Sequence, residues 1–362
     1  MISTAHAPAK GGGPGLVLAI ETSCDETSAA VVTREGRVLS NEVYSQIARH
    51  QEWGGVVPEI ASRCHVEVLP GVIEKALSDA EVAWSDLEGI AVTKGPGLAT
   101  SLLTGLASAR ALALRLDLPV AGVNHLDGHA GSVRLSGGAT WRDLPTPVLL
   151  LLVSGGHTLL VREDPCATYT VIGRTLDDAA GEALDKGSKL LGLGYPGGPA
   201  IEATARGGNP KAVAFPLGMV KNRAAQTLPD GLSRDLCFSF SGVKTALLNH
   251  LRTHPNPSGQ ALADLAASYQ EAVVLALADR IRRALEEHEY RTLACAGGVA
   301  RNARLRGALD ELACRHGVGL RLAEPEFCTD NAAMIGAAAL LRGGWTRADD
   351  PGLDAAPNWR MG

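Results

Sequence analysis

The chain has 362 residues, 46% hydrophobic and 20% charged, a balance that buries a core and excludes an extended disordered polymer. Its length suggests two domains. With 34 Lys and Arg against 39 Asp and Glu it carries a net charge of -5, which argues against a surface that coats nucleic acid generally and leaves room for local basic patches.

The first residues, MISTAHAPAKGGGPG, have no apolar centre and read as a flexible leader over residues 1–14, not as a signal peptide. Residues 16–32, LVLAIETSCDETSAAVV, read as strand, polar turn, strand. Next come GIAVTKGPGLATSLLTGLASARALA, a strand, a Gly-Pro-Gly loop and a helix, and then LPVAGV, a short buried strand. It runs into NHLDGHA, where Asn124 is placed to cap a helix and helical spacing puts His125 and His129 on one face. Such a pair is compatible with a metal or with half-buried packing histidines. A zinc-peptidase motif needs a glutamate directly after the first histidine. Leu126 stands there, with Asp127 pointing away from the pair, so that reading is disfavoured.

A boundary is expected near TWRDLPTPV, where prolines interrupt the pattern. Residues 148–161, VLLLLVSGGHTLLV, then repeat the first hairpin, aligning Ser23 to Thr27 with Ser154 to Thr158. The strand, Gly-Gly loop and helix of TLACAGGVARNARLRGALDEL repeat the second motif. Glycines at such junctions let backbone amides approach an anion, although they are also common packing solutions. The plan is that of an α/β protein with two duplicated domains around a central cleft, as in the actin, Hsp70 and sugar-kinase (RNase H-like) architecture. We expect a first domain over residues 15–146 and a second over 147–342. The second carries a largely helical insertion at about 173–265, and a polar tail at 343–362 is expected to be mobile. Seven cysteines without a Cys-x-x-Cys pair fit a reducing compartment. No apolar run approaches the length needed to cross a bilayer, VLLLLV and AAMIGAAALL both being too short, so a cytoplasmic protein away from membranes is expected.

The stretches ETSCDET, GGVVPEIASRCH, GPGLATSLLTG, NHLDGHA, VSGGHT, DDAAGEALDKGSKLLGLGYPGGP, FSFSGVKTA, GGVARN and CTDNAAMIG, in this order from about residue 16 to 342, closely resemble the universal tRNA threonylcarbamoyladenosine transferases. This family is called TsaD in bacteria, and its members were once taken for glycoproteases. The resemblance implies transfer of threonylcarbamoyl from threonylcarbamoyl-AMP to the N6 amine of adenosine 37, in tRNAs reading codons that begin with A. It implies one divalent metal, iron(II) or zinc, held by His125, His129 and Asp330 in a site closed across the cleft. Taken alone, Asp330 reads as a helix N-cap.

Family likeness also implies a substrate-binding segment at Leu152, Val153, Ser154, Gly155, Gly156 and His157, with further contacts at Asp185, Gly198 and Asn302. For Asp185 an ion pair with Lys189 is the plain alternative. Asp25 and Glu26 are the expected catalytic carboxylates, Asp25 as the base that takes the N6 proton, against a turn-closing role. Arg301 stands where the family usually has a small residue, and with Arg304 and Arg306 it reads as a solvated helix face or as added charge near a nucleotide. Trp53 stands where tyrosine is more common.

The partners implied are tRNA, a non-catalytic TsaB-like paralogue and a small TsaE-like ATPase bringing ATP and magnesium. Basic candidates for RNA contact are Lys186, Lys189, Lys221, Arg223 and Lys244. Two rival readings share the fold: an ATP-dependent kinase or ATPase, which leaves the histidines unexplained, and a nucleotide-gated chaperone, which needs a peptide-binding domain.

Overall fold

The computed structural model describes residues 15–53, 55–135, 143–217 and 227–362. The leader, part of the expected boundary, Lys221 and Arg223 lie outside the described residues. Two compact units result: Met1–Leu144 with Thr329–Met361, and Pro145–Cys328 with Gly362.

In chain order the strands are β1 (Leu16–Glu21), β2 (Glu26–Thr33), β3 (Val38–Ser45), β4 (Gly89–Gly95), β5 (Val120–Asn124), β6 (Val148–Val153), β7 (Thr158–Asp164), β8 (Thr168–Arg174), β9 (Thr292–Ala296), β10 (Gly319–Leu322) and β11 (Trp345–Thr346). The α-helices are α1 (Ile47–His50), α2 (Pro58–Asp79), α3 (Ala99–Leu116), α4 (His125–Ser132), α5 (Ala180–Leu191), α6 (Gly197–Ala205), α7 (Ser241–Thr253), α8 (Gly259–Glu287), α9 (Ala303–His316), α10 (Pro325–Cys328) and α11 (Ala332–Arg342).

The first unit's described residues form a sheet in the order β11-β5-β4-β1-β2-β3, with β1 and β2 antiparallel and β1, β4 and β5 parallel. Residues 16–20 of β1 and 29–32 of β2 are apolar without a break because both faces are covered. Leu18, Ile20, Ala29 and Val31 join a core with Leu69, Ile73 and Ala76 of α2 and Leu106 and Ala109 of α3. Ala19 and Val32 point the other way, onto α11. A Cβ on Gly336 there would lie 2.9 Å from Val32 and 3.3 Å from Ala19, so this glycine lets the helix sit close to the sheet.

The second unit's sheet has the order β10-β9-β6-β7-β8. It matches β5-β4-β1-β2-β3 strand for strand and in direction, with β6 and β7 antiparallel and β6, β9 and β10 parallel. The expected duplication is therefore present in the topology. Between β8 and β9 lie α5 to α8, and the expected insertion is largely helical.

Three expectations need correction. Residues 329–342, assigned from sequence to the second half, belong to the first unit, because α11 buries its alanine-rich length against β1, β2 and α4. The tail is a bound strap. β11 pairs with β5, Lys94 Nζ donates to Gly352 O at 2.7 Å, Arg110 Nε to Ala348 O at 2.9 Å, and Lys94 lies over Trp359 at 5.2 Å. Finally, among the described residues α8 is long and apolar enough to cross a bilayer, with an 18-residue window of mean hydropathy 1.3. Most of that window is buried, with Tyr269, Leu277 and Ile281 among its core side chains, as in a core helix of a folded unit.

Candidate metal centre

The site grows from a strand-to-helix handover. β5 ends at Asn124, whose side-chain oxygen accepts from Leu126 N at 2.9 Å and starts α4, as the sequence reading expects. The first residue of α4 is His125, and His129 follows one turn later, with ring centroids 4.7 Å apart and planes at 82°. Asp330 precedes α11. The cap of α11 is Asn331, which accepts from Met334 N at 3.0 Å, so the capping alternative for Asp330 falls to its neighbour.

Both imidazoles aim Nε2 at one carboxylate oxygen. Asp330 Oδ1 lies 3.5 Å from His125 Nε2 and 3.2 Å from His129 Nε2. The three residues offer ligand atoms within 4.8 Å of one another, and among the described residues no other group of three or more His, Cys, Asp or Glu does so. His125 is 6% and His129 1% exposed. Neither ring nitrogen of His129 has a hydrogen-bond partner among the described residues, an unusual state for a buried imidazole. A metal ion would relieve it: two imidazoles and one carboxylate form a three-ligand set that leaves positions open. All three residues lie in the first unit, so the ligand set comes from one unit and is not assembled from two, as the resemblance led us to expect; the reassignment of α11 and the residues before it is the reason.

The sequence reading did not single out Glu21, which stands behind His125. Its Oε2 lies 3.1 Å from His125 Nδ1 and accepts from Thr93 Oγ1 at 2.5 Å, while Oε1 accepts from Ser23 N at 2.5 Å. A carboxylate on Nδ1 fixes the tautomer and leaves Nε2 for the metal. Burial alone would lower the His125 pKa, but Asp330 and Glu21 outweigh it and hold the imidazolium up to about 9. Glu21 is itself held below the usual carboxylate range, burial opposing and His125 prevailing. The available signal was a carboxylate ending an otherwise apolar strand. Asp127 turns away, as expected, to pair with Arg342 at 2.6 Å. Burial pushes its carboxyl up to about 6 against that guanidinium.

Asp25 is buried and Glu26 half-buried at the β1–β2 tip. Burial, then the charges of Asp330 and Asp25, push the Glu26 carboxyl well above its usual value, with a hydrogen bond between the two carboxyls. Glu26 therefore lies within electrostatic reach of Asp330.

In the second unit, Leu152 and Val153 end β6 with their side chains in the core. Ser154 to His157 form a tight turn, in which Ser154 N donates to His157 O at 2.8 Å and His157 N to Ser154 Oγ at 3.2 Å. Gly155 and Gly156 face open space. Asp185 accepts from Gly197 N at 2.7 Å at the start of α6. Burial raises its carboxyl, the Gly197 and Gly198 amides opposing. The described residues show no ion pair to Lys189. Asn302 caps α9, accepting from Leu305 N at 3.0 Å and donating to Gln270 at 2.8 Å.

Arg304 pairs with Glu271 through two bonds, and Arg306 reaches the carbonyls of Ala300 and Ala323, so neither is a merely solvated charge. Lys186 and Lys244 both pair with Asp178, at 2.6 and 3.2 Å. Trp53 is 67% exposed.

Residues 37–337 match the family model of tRNA N6-adenosine threonylcarbamoyltransferase. Proteins of that name from Anaeromyxobacter sp. (strain Fw109-5) and Syntrophotalea carbinolica are each 49% identical, over 95% and 96% of this chain and 99% and 97% of theirs. The crystal structure of component A of the Acidaminococcus fermentans (R)-2-hydroxyglutaryl-CoA dehydratase is 14% identical with a TM-score of 0.50, covering 91% of this chain and 98% of that one. At that identity it speaks for the actin, Hsp70 and sugar-kinase fold alone. The curated relatives favour neither the kinase nor the chaperone reading, and the chain belongs to the tRNA N6-adenosine threonylcarbamoyltransferase family.

Proposed function

We infer that this acyltransferase moves threonylcarbamoyl from threonylcarbamoyl-AMP to N6 of adenosine 37, in tRNAs reading codons that begin with A, and releases AMP. The observation that carries the metal-dependent form of this reading is the convergence of His125, His129 and Asp330 on one buried point, in a chain of this family. These three residues would hold iron(II) or zinc. Bound there, the metal supplies a Lewis acid and a fixed point for an anionic substrate group.

The remaining roles fall to side chains and main chain. Asp25 takes the N6 proton as that nitrogen bonds to the carbamoyl carbon and the carbon–oxygen bond to AMP breaks. Glu26, whose carboxyl burial and the charges of Asp330 and Asp25 push well above its usual value, orients the Asp25 carboxyl through their shared hydrogen bond. In the second unit the main chain of residues 152–157 and Gly198 contacts the adenylate, the Asp185 carboxyl, oriented by the Gly197 and Gly198 amides, serves a ribose hydroxyl, and Asn302 adds a contact beside its capping role.

A net charge of -5, and two candidate lysines, Lys186 and Lys244, already paired with Asp178 and Glu182, leave this chain short of phosphate-binding charge. We therefore propose that a TsaB-like paralogue and a TsaE-like ATPase, with ATP and magnesium, complete the tRNA-binding assembly in the cytoplasm.

The test is transfer of labelled threonylcarbamoyl from its adenylate to an adenosine-37 tRNA with partners present. Wild type labels the base, and His125→Ala/His129→Ala loses both bound metal and labelling. A double mutant that stays active without metal would overturn the metal reading. Wild type that consumes ATP without labelling tRNA would overturn the transfer itself.

A further inference from the structure

The stretch GGVVPEIASRCH has no part in the metal centre or in the adenylate contacts proposed above. Its last residue, His65 on α2, is completely buried, as are Thr27, Gln46 and His50. His65 Nε2 lies 2.9 Å from Cys24 O, and its Nδ1 lies 2.8 Å from Thr27 Oγ1 and 3.4 Å from Gln46 Nε2. A carbonyl only accepts, so Nε2 carries the proton and Nδ1 accepts from the hydroxyl and the amide. Gln46 then turns Oε1 to His50 Nε2 at 3.2 Å, and His50 Nδ1 accepts from Val57 N at 3.3 Å. Every tautomer follows from a partner with one possible role, and the network closes with both imidazoles neutral.

The network ends on the two residues that flank the carboxylates. One ring grips Cys24 before Asp25 and Thr27 after Glu26, and Gln46 N donates to Asp25 O at 3.0 Å. We propose that His65 is a positioning residue for the reaction, locking the 24–27 tip so that the Asp25 carboxylate is held where the N6 amine arrives. Fully satisfied buried networks rigidify what they hold, and misplacing a reacting group by about 1 Å costs roughly a hundredfold in rate. The inference rests on the reading of Asp25 as the base.

The experiment compares His65→Ala, His65→Gln, Thr27→Val and Asp25→Ala, each as the metal-loaded chain with its partners, by kcat, KM for both substrates and metal content. His65→Ala keeps its metal and its KM values while kcat falls about 10- to 100-fold. His65→Gln, whose amide can still donate to Cys24 O, recovers part of the loss. Thr27→Val, which removes only a hydroxyl, lowers kcat at unchanged KM and keeps the test open if His65→Ala does not fold. Unchanged kcat in the His65 and Thr27 variants, with Asp25→Ala inactive, overturns the positioning role, as does a loss that tracks loss of metal. Full activity of Asp25→Ala overturns the base reading instead, so the two failures are told apart.

Discussion

Glu21→Gln removes one buried charge and almost no volume, and it addresses whether the residue behind His125 tunes the metal site. The carboxylate uses both oxygens: Oε1 takes Ser23 N, and Oε2 takes Thr93 Oγ1 and faces His125 Nδ1 at 3.1 Å. An amide has one acceptor oxygen, so its NH2 must face either the Ser23 amide or the imidazole, leaving a buried donor unmatched at about 1–3 kcal/mol. Thr93 can turn its hydroxyl to accept, whereas Ser23 N cannot. The amide also no longer supports imidazole basicity, and such outer partners are worth about 10- to 100-fold in metal affinity. That range corresponds to about 1.4–2.7 kcal/mol. The assay is titration of metal-free wild type and variant with zinc or cobalt against a competing chelator, with circular dichroism as the folding control. A folded variant whose affinity stays within about threefold of wild type would refute the role of Glu21, because loss of either the charge or the hydrogen bond should exceed that.

Two further perturbations probe the scaffold. Asp177 caps α7, accepting from Ser239 Oγ and Phe240 N at 2.6 and 2.7 Å. Burial opposes its ionisation, but these bonds and those from Ser241 prevail and hold its carboxyl below the usual value. A lowered carboxylate stabilises the fold above its unfolded pKa of about 3.9 and loses that contribution as pH falls through the lowered value. The melting-temperature gap between wild type and Asp177→Asn is therefore steady from about pH 5 to 7 and closes below about pH 4; a gap independent of pH would refute this. A stop after Ala356 removes the Arg360 carbonyl that accepts from Asn124 Nδ2 at 3.2 Å, the Pro357 carbonyl that accepts from Gly97 N at 3.1 Å, and Trp359 over Lys94. It should cost about 2 kcal/mol in urea unfolding and weaken metal binding through the α4 cap, whereas a free tail would show neither effect.

The duplicated plan was legible because each first hairpin opens on an apolar strand, turns at a polar tip and returns through a shorter apolar run, a local pattern that goes with two sheets of the same order. That the two histidines share a face was legible from spacing, but a shared ligand role with Asp330 was implied only by resemblance, since nothing local separates Asp330 from a cap or the histidines from packing residues. Long-range packing was not legible. A tail of Gly, Asp and Pro looks mobile until β5 offers an edge for β11, and α11 looks like the end of the second half until its alanines and Gly336 are seen against the first sheet. The glycine loops show the same limit. A Cβ on Gly97 would lie 2.6 Å from Ser23 O, and Gly297, with a φ of +97°, would drive a Cβ into Val153 O. Both are demanded by packing, whatever else their loops bind.

One sheet order used twice carries different chemistry at its two tips. The first, at Asp25 and Glu26, is acidic and would repel a phosphate. The second, at Gly155 and Gly156, bears no charged side chain, and a Cβ on either glycine would meet nothing within 4 Å. Neither glycine has a positive φ, so the turn does not require them for its own geometry, and the bare main chain there is open to an approaching ligand. Gly155→Ala separates the two explanations. Stability should stay within about 0.5 kcal/mol of wild type, as for a substitution into open space. KM for threonylcarbamoyl-AMP should rise if the main chain there lies against the adenylate. Unchanged stability with unchanged KM would mean that the second tip is only a turn, and the adenylate contacts would have to be sought at Asp185, Gly198 and Asn302.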